Sequence, residues 1–204
     1  MRQQDRGGKP DQWRPTREFL QAIEEHAATI RERAKLGRLD KVAPRSVAKA
    51  LGVRVVSLEE LAALSSEDRL RLTNLDARVW SGMCVPLPDG SFLAILHPQQ
   101  TPERANVTLM EEVCHAYFGH KPSRLERQPN GLMKREYDED AERQAYWTAG
   151  ATLLPSEVVA KAVWRGQTAE ELAAEYGTST ELAEMRIKTL GLWDEYTGPS
   201  RKAS

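Results

Sequence analysis

The segment Thr108-Leu109-Met110-Glu111-Glu112-Val113-Cys114-His115-Ala116-Tyr117-Phe118-Gly119-His120 carries the densest chemistry in the chain. Leu109, Val113 and Tyr117 form one row at i, i+4 spacing, and Met110, Cys114 and Phe118 form the next, so the segment reads as a helix with an apolar stripe. On another face Glu111 and His115 stand one turn apart and can converge on a single point. A carboxylate oxygen binds zinc at ~2.0–2.2 Å and an imidazole nitrogen at about the same distance, so the pair can supply two metal ligands. Glu112, the next residue along, is placed to accept a proton from an attacking water. Taken alone, a Glu-rich helix with one histidine is more often plain structure than a site, and the rest of the chain has to decide.

The elements that would position this helix can be read off in order. Thr16 to Leu36 has Leu20, Ile23, Ala27, Ile30 and Ala34 at helical spacing, with Gly37 as a stop. Pro44 to Leu51 reads as a short helix before Gly52, and Val53 to Val56 as a strand. Leu58 to Leu64 and Asp68 to Leu75 read as helical turns. Val79 to Leu96 changes character: two apolar runs flank Pro88-Asp89-Gly90, which signals a hairpin. The second run, Phe92 to Leu96, is apolar at every position and predicts a buried strand. Helices then follow over Pro102 to Gly119, Asp138 to Leu153, Ser156 to Trp164, Thr168 to Tyr176 and Thr180 to Leu190. The expected fold class is α+β: a small domain with a short antiparallel sheet and the motif helix, then a helical part with helix-turn-helix spacing. The expected division is 1–13 as a disordered leader, 14–165 as the main domain, 166–193 as the helical appendage and 194–204 as a flexible tail.

Composition narrows the class. The chain has 204 residues, enough for one compact domain, and a formal net charge of −1 that gives no global pull toward nucleic acid or anionic lipid. No apolar run approaches the ~20 residues needed to span a bilayer, and the opening MRQQDRGGKPDQ has no apolar segment behind it. Two cysteines, Cys84 and Cys114, make no disulfide framework. The expectation is a cytoplasmic protein without membrane attachment; its oligomeric state is open.

The Glu111–His115 arrangement resembles the H-E-x-x-H helix of zincin metallopeptidases, with Glu in the first position. Several further segments, in the right order, resemble the ImmA/IrrE family of bacterial metallopeptidases. Trp80-Ser81-Gly82 and the Asp89-Gly90 hairpin precede Arg104 and the Thr108-Leu109 lead-in. Glu142-Arg143-Gln144-Ala145 resembles the family's E-x-x-A, and Leu153-Leu154-Pro155 a variant of its L-L-x-P ending. Thr168 to Gly177, followed by a helix ending in Leu190-Gly191-Leu192, is also family-like. The likeness covers roughly residues 40–193.

The resemblance implies a zincin-like fold. It also implies a metal, zinc, held by His115 and Glu142, with Glu112 as general base; Glu111 would be the remaining ligand, and its extra carboxylate makes manganese or iron the alternatives. The implied activity is endopeptidase cleavage of a helix-turn-helix repressor or antitoxin in stress, phage or mobile-element control. The family's first histidine does not carry over. Two carboxylates would make a harder, near-neutral ligand set that favours zinc less and leaves the ion a weaker Lewis acid. The other reading is a binding module that keeps the fold, has lost the metal or its catalysis, and docks a repressor or toxin partner. The Phe92–Leu96 strand is a candidate edge for pairing with a substrate backbone.

Other chemistry-bearing residues receive plainer expectations. His120, five positions after His115, would point away from it as a helix-terminal cation. His97 reads as a surface or loop residue and His26 as solvent-facing. Cys114 and Cys84 read as core thiols. The run Asp138, Glu139, Asp140, Glu142 suits a helix N-terminus. In the segment 168–190, Arg186 and Lys188 are outnumbered by Glu170, Glu171, Glu175, Glu181 and Glu184, which argues for packing or partner docking over DNA binding.

Overall fold

A computed structural model describes residues 15–75, 80–121, 124–127, 133–136 and 138–198. The expected leader (1–13), Val79 and the end of the expected tail (199–204) lie outside the described residues.

The chain opens with α1 (Arg17–Arg33), whose N-terminus is capped by Thr16 Oγ1 accepting from the Phe19 amide. The helix closes earlier than its sequence stop at Gly37, through Lys35, which adopts a left-handed conformation (φ 58°). Next come α2 (Pro44–Ala50), β1 (Val53–Val56) and α3 (Ser66–Asn74). The Pro88-Asp89-Gly90 turn joins β2 (Gly82–Pro86) to β3 (Phe92–Leu96) as an antiparallel hairpin, with Gly90 at φ 83°. β1 adds to the other side of β3 in parallel, so the sheet order is β1-β3-β2. The hairpin was expected; the parallel partner was not. It places β3 in the middle of the sheet, so the edge beside the hairpin is β2, and Phe92–Leu96 has no free edge to offer.

The continuous apolar run of β3 follows from burial on both faces. Ala94, Phe92 and Leu96 pack into the main core with Val53, Val55 and Cys84. Leu93 and Ile95 face the opposite way, into a smaller cluster with Leu58, Trp80, Leu61, Leu64 and Leu72. A strand covered on both sides has no polar face to alternate with.

The motif helix is α4 (Pro102–Phe118), capped by Thr101 and closed by Gly119 at φ 67°. It packs on the sheet through β2 and β3 and, on its other side, on α2 and α5 (Glu139–Leu153). Between α4 and α5 the chain forms a two-stranded antiparallel sheet, β4 (Arg124–Arg127) with β5 (Met133–Glu136), in a stretch expected to be mostly helical. Among the described residues α6 (Ser156–Trp164), α7 (Ala169–Tyr176), α8 (Thr180–Thr189) and α9 (Trp193–Thr197) complete the fold. α9 occupies the start of what was expected to be a loose tail. α7 begins with a full capping box between Thr168 and Glu171.

The helical pair α7–α8 shares the main core: Leu172, Ala173, Leu182 and Ile187 are buried in the same cluster as Leu109, Val113 and Leu153. Arg186 shows how far this goes. It is only 1% exposed; its Nε donates to the Leu154 carbonyl at 3.0 Å, and its Nη2 pairs with Glu24 of α1. A recognition helix would present this charge to solvent, whereas here it is an interior tie. Lys188 lies over the Trp193 ring at 4.3 Å. The segment packs, as its charge balance suggests. Gly150 of α5 admits α8: a Cβ there would stand 3.1–3.3 Å from Met185, Leu182 and Arg186.

Removing one partner of a buried ion pair strands the other charge. Glu24→Ala is therefore expected to cost about 3 kcal/mol of folding stability. Adding Arg186→Met to it is expected to restore a measurable part of that loss. Urea denaturation of the two variants checks both values.

Candidate metal centre

Glu111 and His115 come to one point because α4 is regular across them, and Glu142 reaches the same point from the first turn of α5. That turn is set by Asp138, whose carboxylate accepts from the amides of Asp140 and Ala141 at 3.1 Å each, while Arg143 pairs with Glu139 and Asp140. The acidic opening of α5 is thus divided between capping, surface pairing and Glu142. Ala145 and Ala149, both fully buried, line the seam where α5 meets α4, and their small side chains let the two backbones close up.

The ligand atoms of Glu111, His115 and Glu142 all lie within 4.8 Å of one another, and each residue is half-buried. Nε2 of His115 stands 3.6 Å from Oε2 of Glu142. Donors held at about 2.1 Å around a tetrahedral ion are about 3.4 Å apart, so this spacing suits a bound cation. Among the described residues no other group of three His, Cys, Asp or Glu side chains is placed to hold one.

Electrostatics points the same way. Burial, reinforced by Glu142, pushes the Glu111 carboxyl up to about 7, although His115 and Arg104 oppose the shift. Burial alone would lower the His115 pKa, but the hydrogen bond to Glu142 and the fields of Glu112, Glu142 and Glu111 outweigh it, and the pKa lies above its ordinary value. The set holds excess negative potential that a cation would neutralise. The residues present therefore fit a divalent metal.

Glu112 lies beside this trio at the foot of β2. Gly82 is required there, because a Cβ would meet Thr108 Cγ2 at 2.7 Å and Glu112 Oε1 at 3.0 Å. The start of β2 is tied to α4 through Gln100, which accepts from Thr108 Oγ1 at 2.8 Å and donates to the Ser81 carbonyl. The edge strand is thereby held against the general-base candidate.

Three histidine expectations need correction. His120 does not point away: Gly119 ends the helix in a left-handed turn, which brings the His120 ring back so that its Nδ1 lies 3.0 Å from Nδ1 of His115. Its other nitrogen meets Gln144 Oε1 at 3.1 Å. Nor is it poised as a cation, since burial and then the nearby His115 lower its pKa against the opposing pull of Gln144, Asp138 and Glu142. His97 is only 2% exposed, bonded through Nε2 to the Leu75 carbonyl at 2.8 Å and packed edge-on to Trp80. His26 is half-buried against Phe118 and within 3.2 Å of Tyr117 Oη.

Cys114 is a buried core thiol, as expected, whereas Cys84 is half-buried against the same core. Burial and then Glu112 push Cys84 up to about 12, and Cys114 is fully buried with its pKa raised well above the ordinary thiol range, by burial first and then by Glu111. His120, Gln144 and Gly82 are the site residues the sequence reading did not single out. The usable signal for His120 was Gly119: helical periodicity cannot be extrapolated past a left-handed stop.

An α+β fold with a helix-borne Glu/His pair, a third acid from the next long helix and a general-base candidate beside an edge strand defines a metallopeptidase-like domain. The family model for the IrrE N-terminal-like domain of peptidase family M78 matches residues 48–188, and the chain belongs to that family. Comparison with curated proteins gave no match. No helix among the described residues is long and apolar enough to cross a membrane.

Glu111 keeps its proton to about 7 when folded, against 4.5 for an ordinary glutamate. The metal-free folded state thus binds more protons than the unfolded chain in that window, and stability falls as pH rises through it. The raised His115 pKa adds a loss in the same direction. Metal-free protein is expected to melt at lower temperature at pH 8 than at pH 5, and Glu111→Gln to reduce that difference. Calorimetry across the pH range tests this.

Proposed function

We propose that this protein is a metal-dependent endopeptidase of the cytoplasm. The observation that carries the reading is the convergence of Glu111, His115 and Glu142 beside Glu112 at the edge of the sheet. Glu111, His115 and Glu142 would hold a divalent cation, zinc or the harder manganese or iron. When bound, such an ion supplies Lewis acidity toward a peptide carbonyl and toward water. Glu112 takes the proton of the attacking water on its carboxylate and can return it to the departing amine. Strand β2, which among the described residues pairs only with β3, offers backbone N–H and C=O groups along which an extended substrate can lie. The family likeness supports a protein substrate of the helix-turn-helix repressor or antitoxin class, in stress, phage or mobile-element control.

A second reading is favoured by one residue. Glu111 stands where the family has histidine, and a carboxyl that retains its proton to about 7 competes with metal at neutral pH. On this reading the domain docks a repressor or toxin without cutting it.

Elemental analysis of protein purified without chelator separates the two. The peptidase reading expects about one metal per chain, retained in Glu112→Gln, with cleavage of a quenched-fluorescent peptide library cut by roughly 100-fold or more in that variant. Metal-free protein with no cleavage establishes the docking reading. Replacing the harder donor also has a direction: Glu111→His is expected to bind zinc more tightly and to turn over faster than the parent. Slower cleavage by a zinc-loaded Glu111→His variant would contradict the role given to Glu111.

A further inference from the structure

We propose that His120 is a positioning residue: it accepts a hydrogen bond from the Nδ1–H of His115 and passes its own Nε2–H to Gln144. With a cation in the site this would hold His115 as the Nδ1–H tautomer, whose Nε2, beside Glu142, serves as the donor to the ion. The proposal rests on the reading of those three residues as a metal centre and adds to it the device that aims its one nitrogen donor.

The chain of contacts has a direction. Two imidazole nitrogens 3.0 Å apart, Nδ1 of His115 and Nδ1 of His120, are bonded only if one carries the proton and the other a lone pair. The far end breaks the symmetry. Nε2 of His120 lies 3.1 Å from the carbonyl oxygen of the Gln144 amide, which can only accept. His120 therefore carries its proton on Nε2 and is bare at Nδ1, so the proton between the rings belongs to His115. Charged His115 carries a proton on both nitrogens, Nε2 toward Oε2 of Glu142 at 3.6 Å and Nδ1 toward His120; a cation among the three ligands would take the place of the Nε2 proton and leave Nδ1–H for His120. The outer partner of a ligating histidine sets tautomer and ring orientation in this way.

The relay is built to hold still. The His120 ring stacks on Phe118, with centroids 5.3 Å apart and planes 18° from parallel. Phe118 is packed edge-on against His26 of α1 at 4.8 Å. Gly119 provides the left-handed turn (φ 67°) that folds the ring back over the helix end. Gln144 sits two residues after Glu142 on α5, so the relay that starts at His115 on α4 ends on the helix that brings Glu142. The imidazole is thus fixed relative to both elements that contribute donors.

Two measurements on the full-length protein decide the matter. Long-range 1H–15N spectra of the zinc-loaded protein are expected to show the Nδ1–H tautomer for His115 and the Nε2–H tautomer for His120. The opposite pattern overturns the proposal and needs no variant to do so. Zinc affinity by competition with a chromophoric chelator is expected to fall roughly 10- to 100-fold in His120→Phe. It is expected to stay within a few-fold of the parent in His120→Asn, whose carbonyl can accept where Nδ1 does. Unchanged zinc affinity in a folded His120→Phe overturns the proposal even with the expected tautomers. If His120→Phe fails to fold, the parent's spectra and the Asn variant decide. A parent that binds no zinc, manganese or iron removes the metal-centre reading, whereas bound zinc with the His120 proton on Nδ1 removes only this proposal.

Discussion

Two carboxylates and an imidazole that meet in a half-buried seam cannot all take their ordinary charge states at once. Water is excluded in part, so the anions are poorly solvated and feel each other strongly. The protein has three ways out: hold a proton on Glu111, charge His115, or take up a cation. The raised Glu111 and His115 pKa values are the first two in operation. Held by Glu111, His115 and Glu142, a divalent ion would stand in for both charges, with Glu111 giving up its proton.

Such a conflict persists only if the surrounding structure is stiff enough to impose it. The α4–α5 contact supplies that stiffness. Ala145 and Ala149 allow close approach, while Leu109, Met110 and Val113 on α4 join Leu153 and Leu154 from α5 in one core. The later helices brace α5 from behind: Gly150 accepts α8, and Arg186 joins the Leu154 carbonyl at the end of α5 to Glu24 on α1. Segments remote from the acids in sequence thereby resist the relaxation that would separate them. This is a physical reason for the M78 match to extend to residue 188, well past the last proposed ligand.

Much of this arrangement was legible in the residues, and the parts that were not share a cause. Helices with periodic apolar rows and clear caps, such as Thr101 before α4 and Thr168 before α7, declare themselves locally. The Glu111–His115 pair did so because four residues make a turn. Contacts made across the fold carry no such mark. Arg186 and Lys188 look alike on a helix two positions apart, yet one is an interior tie and the other a surface stack. Phe92–Leu96 announced its burial but not that β1 would take its second edge. His97 and His26 were read from their neighbours in sequence, whereas their environments are Trp80 and Leu75 in one case and Tyr117 and Phe118 in the other.

Glu111, in the position where the resemblance leads one to expect a histidine, gains meaning under the metal-centre proposal. A neutral imidazole at position 111 would leave Glu112 and Glu142 as the only acids at the centre, and the like-charge conflict would ease. With glutamate there, a buried acid would join the ligand set, and the ion it favours would be harder and less able to activate water. It also leaves a single nitrogen donor. A site with two imidazoles can tolerate one poorly aimed ring; a site with one cannot. The hydrogen bonds that orient His115 therefore carry more weight here than in a two-histidine centre, and the precision lost at position 111 has to be recovered around position 115.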